Sequence, residues 1–338
     1  MMNGSLGPDG QMLAMLLERP DQALRAAHMA IPTPSSQQLL LRVSACGVCR
    51  TDLHIVDGEL APHKAPLIPG HEVVGYVVRC GTEVQGYAPG DRVGVAWLGD
   101  SCGHCPYCAR QNENLCEQAL FTGYDLNGGY AEYMVADARY VFRLPASYDD
   151  VHAAPLLCAG LIGYRAYAMA GQPPRIGLYG FGAAAHILCQ IARHQGREVY
   201  AFTRPGDTRS QEFARSLGAI WAGDSEQAAP VPLDAAILFA PNGALVPRAL
   251  AAVRPGGSVI CAGIHMSEVP AFPYALLWGE RTLRSVANLT RADGAAFFQL
   301  AAECPLQTHT TVFPLAQANE ALAALRAGDL DGAAVLVP

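Results

Sequence analysis

Short apolar runs broken by glycine and proline dominate the first half of the chain. The clearest of these runs have the length and composition of β-strands and cover residues 39–45, 73–79, 91–96 and 130–136. Strands at such short spacing, with turn residues between them, are typical of a compact antiparallel sheet. The pattern therefore predicts a mainly β domain with irregular loops.

A different pattern begins near residue 160, where apolar strands and helices alternate. Strands are predicted at residues 175–179, 198–203, 233–239 and 257–262, and helices at residues 153–169, 184–195, 211–217 and 245–253. This alternation predicts a doubly wound parallel sheet of the α/β class. A helix at residues 293–304 and a helix–strand pair within residues 315–337 follow. We expect residues 1–159 and 288–338 to form one domain and residues 160–287 the other.

Composition and charge limit the classes of protein to consider. The chain has 338 residues, 51% hydrophobic and 16% charged, so it can fill two packed cores and is not a disordered protein. Its net charge is −7, and no dense block of lysine and arginine is present to bind nucleic acid or a membrane surface. No apolar stretch is long enough to cross a bilayer. Residues 1–11 lack the basic start and apolar core of a signal peptide, and we interpret them as the frayed end of a cytoplasmic protein.

Eleven cysteines without an export signal indicate thiols and metal ligands rather than disulfides. Five of them lie in apolar or strand-like surroundings and are predicted to be small buried hydrophobic residues: Cys46, Cys80, Cys189, Cys261 and Cys304. Four others have the spacing C-x2-C-x2-C-x7-C, namely Cys102, Cys105, Cys108 and Cys116. Four thiolates complete a tetrahedral zinc site, so this ion would be structural and without a position for substrate. The alternatives are a chance cluster of thiols and an iron–sulfur centre, whose fourth ligand usually has a different spacing.

Three further candidate ligands lie far apart along the chain. Cys49, His71 and Cys158 would supply two thiolates and one imidazole. Such a set leaves the fourth coordination position of zinc open for water or a substrate oxygen, which is the arrangement of a catalytic site. Each residue alone is more often a packed core residue, so the prediction depends on their joint occurrence.

The order of the motifs resembles that of the zinc-containing alcohol dehydrogenases of the medium-chain dehydrogenase/reductase superfamily. The motifs are CGVCRTDLH (46–54), PGHE (69–72), GDRVGVAW (90–97), the four-cysteine segment, NGGYAEY (127–133), PLLCAG (155–160) and GLYGFGAAAH (177–186). The resemblance implies a GroES-like β domain with a zinc lobe near residues 100–117, and a Rossmann domain. It also implies two zinc ions per chain, hydride transfer between an alcohol or aldehyde and a nicotinamide dinucleotide, and a dimer or tetramer of identical chains.

The resemblance also implies roles for individual residues near the catalytic zinc. Cys49, His71 and Cys158 match the zinc ligands, and Glu72 matches the acidic residue behind the metal. Asp52 matches the carboxylate that orients the histidine ligand. In the same motif, Thr51 matches the hydroxyl that takes the alcohol proton, and His54 matches the outer end of the proton relay. Arg50 matches a cation that contacts the coenzyme pyrophosphate. Cys46 matches no ligand and is interpreted as structural.

The coenzyme is predicted from the glycine turn and from the end of the next strand. Gly180, Gly182 and Ala185 fit the G-x-G-x-x-G/A pattern that brings a pyrophosphate to a helix N-terminus. An acidic residue at the end of the second strand binds the ribose of NAD, but here Thr203 and Arg204 occupy this place. We therefore favour NADP(H). NAD(H) stays open, because Arg204 could be only a solvated charge and Asp207 could reach a ribose.

Substrate and reaction class have alternatives as well. Trp97 is predicted to narrow the pocket for slim primary or flat aromatic alcohols, or else to be a filler between strands. A polyol dehydrogenase is one alternative, although such enzymes commonly have glutamate where Cys158 stands. A non-catalytic relative is another, although such chains lose the scattered ligands that are kept here.

Overall fold

A computed structural model describes residues 10–330 and 332–338. Most of the predicted frayed end at residues 1–11 lies outside these ranges. Gln11 does not belong to a frayed end, because it begins the first strand and pairs with Ala30.

The strands, in chain order, are β1 Gln11–Leu16, β2 Arg25–Ala30, β3 Gln38–Val48, β4 Glu72–Cys80, β5 Arg92–Val95, β6 Leu98–Asp100, β7 Leu120–Phe121, β8 Tyr133–Asp137, β9 Val141–Arg143, β10 Arg175–Tyr179, β11 Glu198–Thr203, β12 Trp221–Asp224, β13 Leu233–Leu238, β14 Val253–Cys261, β15 Thr282–Ser285, β16 Thr310–Pro314 and β17 Ala333–Val337. The α-helices are α1 Arg50–Val56, α2 Pro106–Ala109, α3 Asp150–Ala153, α4 Ala159–Met169, α5 Ala183–His194, α6 Thr208–Ser216, α7 Leu245–Ala252, α8 Arg291–Glu303 and α9 Ala318–Ala327. Short 3-10 turns cover Glu113–Leu115, Ala138–Tyr140, Ala154–Leu157, Tyr274–Leu276 and Leu315–Gln317.

Contacts divide the described chain into two compact units. The first takes the residues up to Cys158 with Thr290–Ala302 and Gln307–Pro338, and the second takes Ala159–Leu289 with Glu303–Leu306. In the first unit, strands β16-β17-β3-β4-β5-β9 form a mainly antiparallel sheet in this order, and β8 also pairs with β3. Its core is built from apolar side chains of these strands, such as Leu39, Leu41 and Val73.

In the second unit, strands β12-β11-β10-β13-β14-β15 form a wholly parallel sheet in this order. This is the doubly wound arrangement, in which ligands bind beyond the carboxyl ends of the strands. Buried residues of β10, β11 and β13 pack against α7 through side chains such as Tyr179, Phe202 and Leu250. The predicted fold class, a Rossmann domain plus a mainly β domain, is confirmed.

One predicted element differs in a way that matters for the site. Residues 153–169 do not form one helix, because α3 ends at Ala153 and α4 begins at Ala159. Pro155 lies in the 3-10 turn between them, where a continuous α-helix would need its missing N–H. The break leaves Cys158 with φ −125° and ψ −68°, outside either helix.

Within the described residues, no helix combines the length and apolar character needed to cross a membrane.

Candidate functional site

Four residues from three distant segments of the chain converge in the first unit. One sulfur each from Cys49 and Cys158, one imidazole nitrogen of His71 and one carboxylate oxygen of Glu72 all lie within 4.8 Å of one another. Cys49 precedes α1, and Cys158 lies in the break before α4. His71 directly precedes β4, and Glu72 is the first residue of that strand. This geometry is consistent with the prediction that the three scattered motifs meet. The four donor atoms are close enough together to hold a single ion.

Cys49 is placed by the start of α1. It is the N-cap residue of this helix, and Asp52 accepts a hydrogen bond from its backbone N–H at 2.8 Å. An acidic side chain at the third helical position closes the first turn in this way and fixes the entry of the chain. The Cys49 side chain is therefore held at the end of the helix rather than on a free loop.

His71 is placed by two loops that pair through their backbones. The N–H groups of Gly129 and Tyr130 donate to the carbonyls of Gly70 and Pro69, both at 3.0 Å. Gly70 has a φ of +97°, which favours glycine, and it is followed directly by His71. The glycines of NGGYAEY therefore serve close backbone packing beside the histidine, a role that the motif alone did not reveal.

Asp52 connects three groups around the candidate site and is fully buried. One of its oxygens lies 3.2 Å from Nδ1 of His71, and the other accepts from the hydroxyl of Tyr130 at 3.1 Å. Such a carboxylate fixes the tautomer of a histidine and leaves Nε2 for a metal. Tyr130 had no predicted role, and its sequence separation of 78 residues from Asp52 explains why.

The electrostatics of the four-residue cluster suit a cation. Burial raises the pKa of the Glu72 carboxyl, and its Oε2 has no hydrogen-bond partner among the described residues. The contact with Cys158, whose sulfur lies 3.7 Å away, lowers the pKa of Cys49, while it raises the pKa of Cys158. Burial opposes charge on His71, but the Asp52 carboxylate and Cys49 outweigh it, so the imidazole has a raised pKa. Since a metal ion can replace these protons, the donor set fits zinc.

The predicted relay residues lie on α1. Thr51 is buried, its Oγ1 lies 3.8 Å from the Cys49 sulfur, and His54 follows one helical turn later with a side chain 20% exposed. Residues at positions i and i+3 share one face of a helix. Nδ1 of His54 contacts the carboxylate of Glu59, a partner that the motif did not predict. Arg50, at the first position of α1, is exposed.

Trp97 belongs to an aromatic cluster. Its ring packs edge-on against His71 at 5.0 Å between centroids and stacks with Phe121 at 5.1 Å and Tyr124 at 5.8 Å. These contacts restrain the indole beside the candidate metal site. Trp97 as a whole is half-buried.

The four cysteines of the C-x2-C-x2-C-x7-C segment also converge, with sulfurs within 4.8 Å of one another. The backbone N–H of Cys105 donates to the sulfur of Cys102 at 3.3 Å, and that of Cys108 donates to Cys105 at 3.5 Å. Backbone hydrogen bonds of this kind lower the pKa of Cys102 to about 6, whereas burial raises the pKa of Cys116 to about 11. Four converging sulfurs, with backbone N–H groups that stabilise the thiolate of Cys102, fit a closed zinc site.

The cysteine lobe is joined to the rest of the first unit through polar contacts that the sequence did not predict. Oε1 of Glu113, which is 2% exposed, accepts from the backbone N–H of Arg291 at 2.9 Å and from its Nε at 3.1 Å. The hydroxyls of Ser101 and Tyr140 lie 2.6 Å apart, and Ser101 also contacts the Cys108 sulfur at 3.3 Å.

The glycine turn of the second unit lies between β10 and α5. Gly180 has a φ of +88°, and a Cβ there would lie 2.8 Å from the backbone nitrogen of Ala240, so only glycine fits. A Cβ on Gly182, the N-cap of α5, would meet nothing within 4 Å, which leaves space for a ligand beside the helix N-terminus. Ala185 is fully buried. The turn fits a dinucleotide pyrophosphate.

The end of β11 has a different arrangement from the one expected. Thr203 is 2% exposed, and its hydroxyl contacts the carbonyl of Arg204 at 3.2 Å and accepts from Nε2 of Gln211 at 3.1 Å. The threonine hydroxyl is thus engaged inside the protein. Arg204 is exposed and makes no ion pair with any described residue. Asp207 accepts from the N–H of Ser210 as the cap of α6, so its carboxylate is also engaged.

The five cysteines that were predicted to be small buried hydrophobic residues lie outside both clusters, and two of them are less buried than expected. Cys46 is fully buried in β3 although it forms C-x2-C with Cys49, and Cys189 and Cys304 are also buried. Cys80 and Cys261 are half-buried.

Comparison with known proteins places this fold and these motifs in one family. Residues 35–146 match the alcohol dehydrogenase GroES-like domain. A protein of Mycobacterium tuberculosis named probable alcohol dehydrogenase AdhA is 49% identical over 315 residues, which cover 91% of this chain and 90% of that protein. An alcohol dehydrogenase of Geobacillus stearothermophilus is 34% identical over 337 residues, or 96% of this chain and 99% of that protein.

Solved structures show the same architecture. A thermostable alcohol dehydrogenase from Pyrobaculum aerophilum with cobalt and zinc bound has a TM-score of 0.86 at 27% identity, covering 97% of this chain and 100% of that one. A dehydrogenase structure from Sinorhizobium meliloti bound to NADP has a TM-score of 0.84 at 25% identity, covering 97% and 99%. Acetophenone reductase from Geotrichum candidum, in complex with NAD, has a TM-score of 0.86 at 25% identity, covering 97% and 98%.

The fold, the two converging clusters and the glycine turn define a medium-chain dehydrogenase/reductase. Together with the similarity of these relatives over nearly the whole chain, they show that the chain belongs to the zinc-containing alcohol dehydrogenase family of that superfamily. It is an oxidoreductase that interconverts alcohols and carbonyl compounds.

Proposed function

We propose that this protein is a zinc-dependent alcohol dehydrogenase or aldehyde reductase that uses a nicotinamide dinucleotide, with NADP(H) favoured over NAD(H). The observation that carries the proposal is the convergence of Cys49, His71, Glu72 and Cys158 within 4.8 Å. We assign the catalytic site to the first unit and coenzyme binding to the second.

Cys49, His71 and Cys158 would hold a catalytic zinc ion, with Glu72 behind it. When bound, zinc supplies a Lewis acid that lowers the pKa of a coordinated oxygen to about 7. The residues around it prepare this site. Asp52 accepts from Nδ1 of His71, and the two sulfurs are brought together by α1 and by the break before α4.

Thr51 and His54 would move the substrate proton. The Thr51 hydroxyl accepts the proton of the alcohol and passes its own proton on towards His54, one turn further along α1. His54 is 20% exposed and in contact with Glu59, so it can exchange the proton with solvent. In aldehyde reduction the same groups return a proton to the product.

The four sulfurs of Cys102, Cys105, Cys108 and Cys116 would hold a second, structural zinc ion. Its thiolates leave no position for substrate. The support is the mutual distance of the sulfurs and the backbone N–H groups that donate to them. The ion would stabilise the lobe whose Glu113 contacts Arg291.

The pyrophosphate of the coenzyme would bind at the glycine turn of the second unit, beside Gly180, Gly182 and Ala185. At the adenosine end, Arg204 is the exposed cation at the carboxyl end of β11 and can pair with a 2′-phosphate. The engaged hydroxyl of Thr203 makes it a weaker candidate than Arg204. Solved relatives bound to NADP and to NAD support a dinucleotide of either kind.

Trp97 would set the width of the substrate pocket. The stacked Phe121 and Tyr124 hold the indole in place beside His71. We infer that slim primary or flat aromatic alcohols and aldehydes are accepted. Trp97→Ala should raise kcat/KM for branched alcohols relative to linear ones, and an unchanged ratio would contradict this role.

We also infer that identical chains assemble, with β15 as part of the interface. This strand ends the parallel sheet, all four of its residues are exposed, and Tyr274 and Trp278 nearby are 68% and 67% exposed. An unpaired strand edge with large apolar side chains favours pairing with another chain. Light scattering on the parent and on Trp278→Asp tests this, because the variant should have a smaller mass.

Metal analysis with an activity panel tests the proposed function. The purified protein should contain about two zinc ions per chain and oxidise primary alcohols with NADP or NAD. One zinc per chain without activity would favour the non-catalytic relative, and activity confined to polyols would favour the polyol dehydrogenase.

A further inference from the structure

The carboxyl ends of β11 and β12 bring an acidic residue to the expected coenzyme site. In the parallel pairing of these strands, Thr203 lies opposite Asp224, the last residue of β12. A dinucleotide binds beyond the carboxyl ends of such strands, and the end of the second strand meets the adenosine ribose. The carboxylate that is missing at the end of β11 is therefore present one strand further out.

Asp224 holds the turn that follows β11. Its Oδ1 accepts from the backbone N–H of Gly206 at 3.1 Å and from Nε2 of Gln211 at 2.9 Å. The same Nε2 of Gln211 donates to Thr203 at 3.1 Å. Hydrogen bonds thus connect the turn to β12 at Gly206 and to α6 through Gln211. They fix the backbone from which Arg204 projects.

The turn presents two opposite charges to a ligand. Arg204 is exposed and Asp224 is half-buried, while the hydroxyl of Thr203 points to partners inside the protein. A Cβ on Gly206 would meet nothing within 4 Å, so space is open at the turn. A 2′-phosphate there would be attracted by Arg204 and repelled by Asp224, whereas an unmodified ribose would meet no repulsion.

We propose that Asp224 is a specificity-determining residue for the adenosine end of the coenzyme. It acts in two ways: it positions the turn that carries Arg204, and its charge limits the affinity for a 2′-phosphate. The inference rests on the proposed use of a nicotinamide dinucleotide. It predicts a protein that favours NADP(H) without excluding NAD(H).

The two actions can be separated by substitution. In Asp224→Asn, the remaining side-chain oxygen can still accept from Gly206 and Gln211, but the charge is removed. In Asp224→Ala, both the charge and the anchor are lost. Glu226→Gln is the matched control, since it removes a charge two residues further on from a side chain that is 64% exposed and lies 3.6 Å from Arg248.

The test is calorimetric titration of the full-length zinc protein with adenosine 2′,5′-bisphosphate and with adenosine 5′-monophosphate, which differ only by the 2′-phosphate. Asp224→Asn should bind the bisphosphate about 3- to 10-fold more tightly than the parent and leave the monophosphate unchanged. Asp224→Ala should bind the bisphosphate more weakly than Asp224→Asn does, and Glu226→Gln should behave as the parent. Melting curves check that each variant is folded.

The outcomes distinguish this inference from the function on which it rests. If both nucleotides bind to the parent but Asp224→Asn leaves their affinity ratio unchanged, the role of Asp224 is overturned and coenzyme use stands. An equal gain in affinity for the bisphosphate in Glu226→Gln would also overturn it, because removal of any nearby negative charge would then have the same effect. If neither nucleotide binds to the parent, the proposed coenzyme use fails and the inference falls with it.

Discussion

The carboxylate of Asp52 lies 3.2 Å from Nδ1 of His71, and neither side chain is exposed to more than 1%. Because the other oxygen of Asp52 accepts from Cys49 and Tyr130, the carboxylate cannot turn away from the imidazole. A histidine held in this way is oriented through Nδ1 and presents Nε2 to a metal. The orientation of the His71 imidazole and the backbone position of Cys49 therefore both depend on the buried Asp52.

This relationship predicts the effect of Asp52→Asn. The amide would point an N–H group at His71 and favour the tautomer that cannot bind zinc through Nε2. Zinc affinity at the catalytic site should fall about 10- to 100-fold, measured as zinc retained against a chelator. Tyr130→Phe is the control, because it removes one hydrogen bond to Asp52 without disturbing the one to His71. A variant Asp52→Asn that retains zinc like the parent would show that the carboxylate is not needed.

The two metal clusters should respond differently to loss of one sulfur. Cys49→Ser should remove one zinc ion per chain and abolish turnover with little change in melting temperature. Cys108→Ser should lower the melting temperature by about 5 °C or more, because a structural zinc contributes folding free energy directly. Cys46→Ala is the matched control, since Cys46 lies three residues before Cys49 and outside both clusters. Full activity of Cys49→Ser would exclude the catalytic assignment.

The relay is tested by His54→Gln. Alcohol oxidation should slow about tenfold near pH 6 and much less near pH 9, where hydroxide can take the proton without the imidazole. The measurement is kcat for a primary alcohol across this range. His152→Gln provides the comparison, since His152 is also an imidazole in contact with a carboxylate, that of Asp149 at 2.8 Å. Parallel pH profiles for His54→Gln and the parent would count against the relay.

Much of the second unit could be predicted from the sequence, because the burial of parallel strands leaves a local apolar signal. β10 and β11 have the predicted bounds. β12 and β15 were missed, since β15 is exposed along its whole length and β12 is only four residues long. Short or exposed strands are defined by their neighbours in the sheet rather than by their own apolar pattern.

In the candidate site, the ligand types and their order could be read from the motifs, but their supporting contacts could not. The hydrogen bond of Tyr130 to Asp52 spans 78 residues, and that of Arg291 to Glu113 spans 178. The pairing of Thr203 with Asp224 likewise depends on strand register. Such contacts arise from the tertiary fold, and no local pattern encodes them.

The contact between Glu113 and Arg291 predicts a pH-dependent stability. Burial alone would raise the pKa of Glu113, but the N–H and guanidinium of Arg291 outweigh it, and the pKa lies below its ordinary value. A carboxyl with a lower pKa in the folded chain stabilises the fold at neutral pH, and this contribution is lost as the pH falls below about 4. Glu113→Gln should therefore reduce the free energy of unfolding by about 1–2 kcal/mol at pH 7. The difference from the parent should shrink at low pH.

Urea unfolding of the parent and of Glu113→Gln, at pH 7 and at a pH below about 4, measures this difference in the free energy of unfolding. Glu117→Gln, an exposed acid in the same lobe, is the control. A pH-independent difference between Glu113→Gln and the parent would mean that charge is not the cause.

The last prediction concerns Arg204, which projects from the turn after β11 at the carboxyl edge of the parallel sheet. A charged hydrogen bond from its guanidinium to a 2′-phosphate would contribute about 1.5–3 kcal/mol, enough to change a coenzyme preference tenfold or more. Arg204→Ala should therefore lower kcat/KM for NADP by about that factor and leave the value for NAD nearly unchanged. Arg175→Ala is the matched control, because Arg175 is an exposed arginine at the opposite, amino edge of the sheet, 3.2 Å from Glu198. Thr203→Asp, which would otherwise be the natural change towards NAD, should instead destabilise the fold, because it places a buried carboxylate directly opposite Asp224. Equal losses with both coenzymes in Arg204→Ala, or a clear preference of the parent for NAD, would show that Arg204 does not recognise the phosphate.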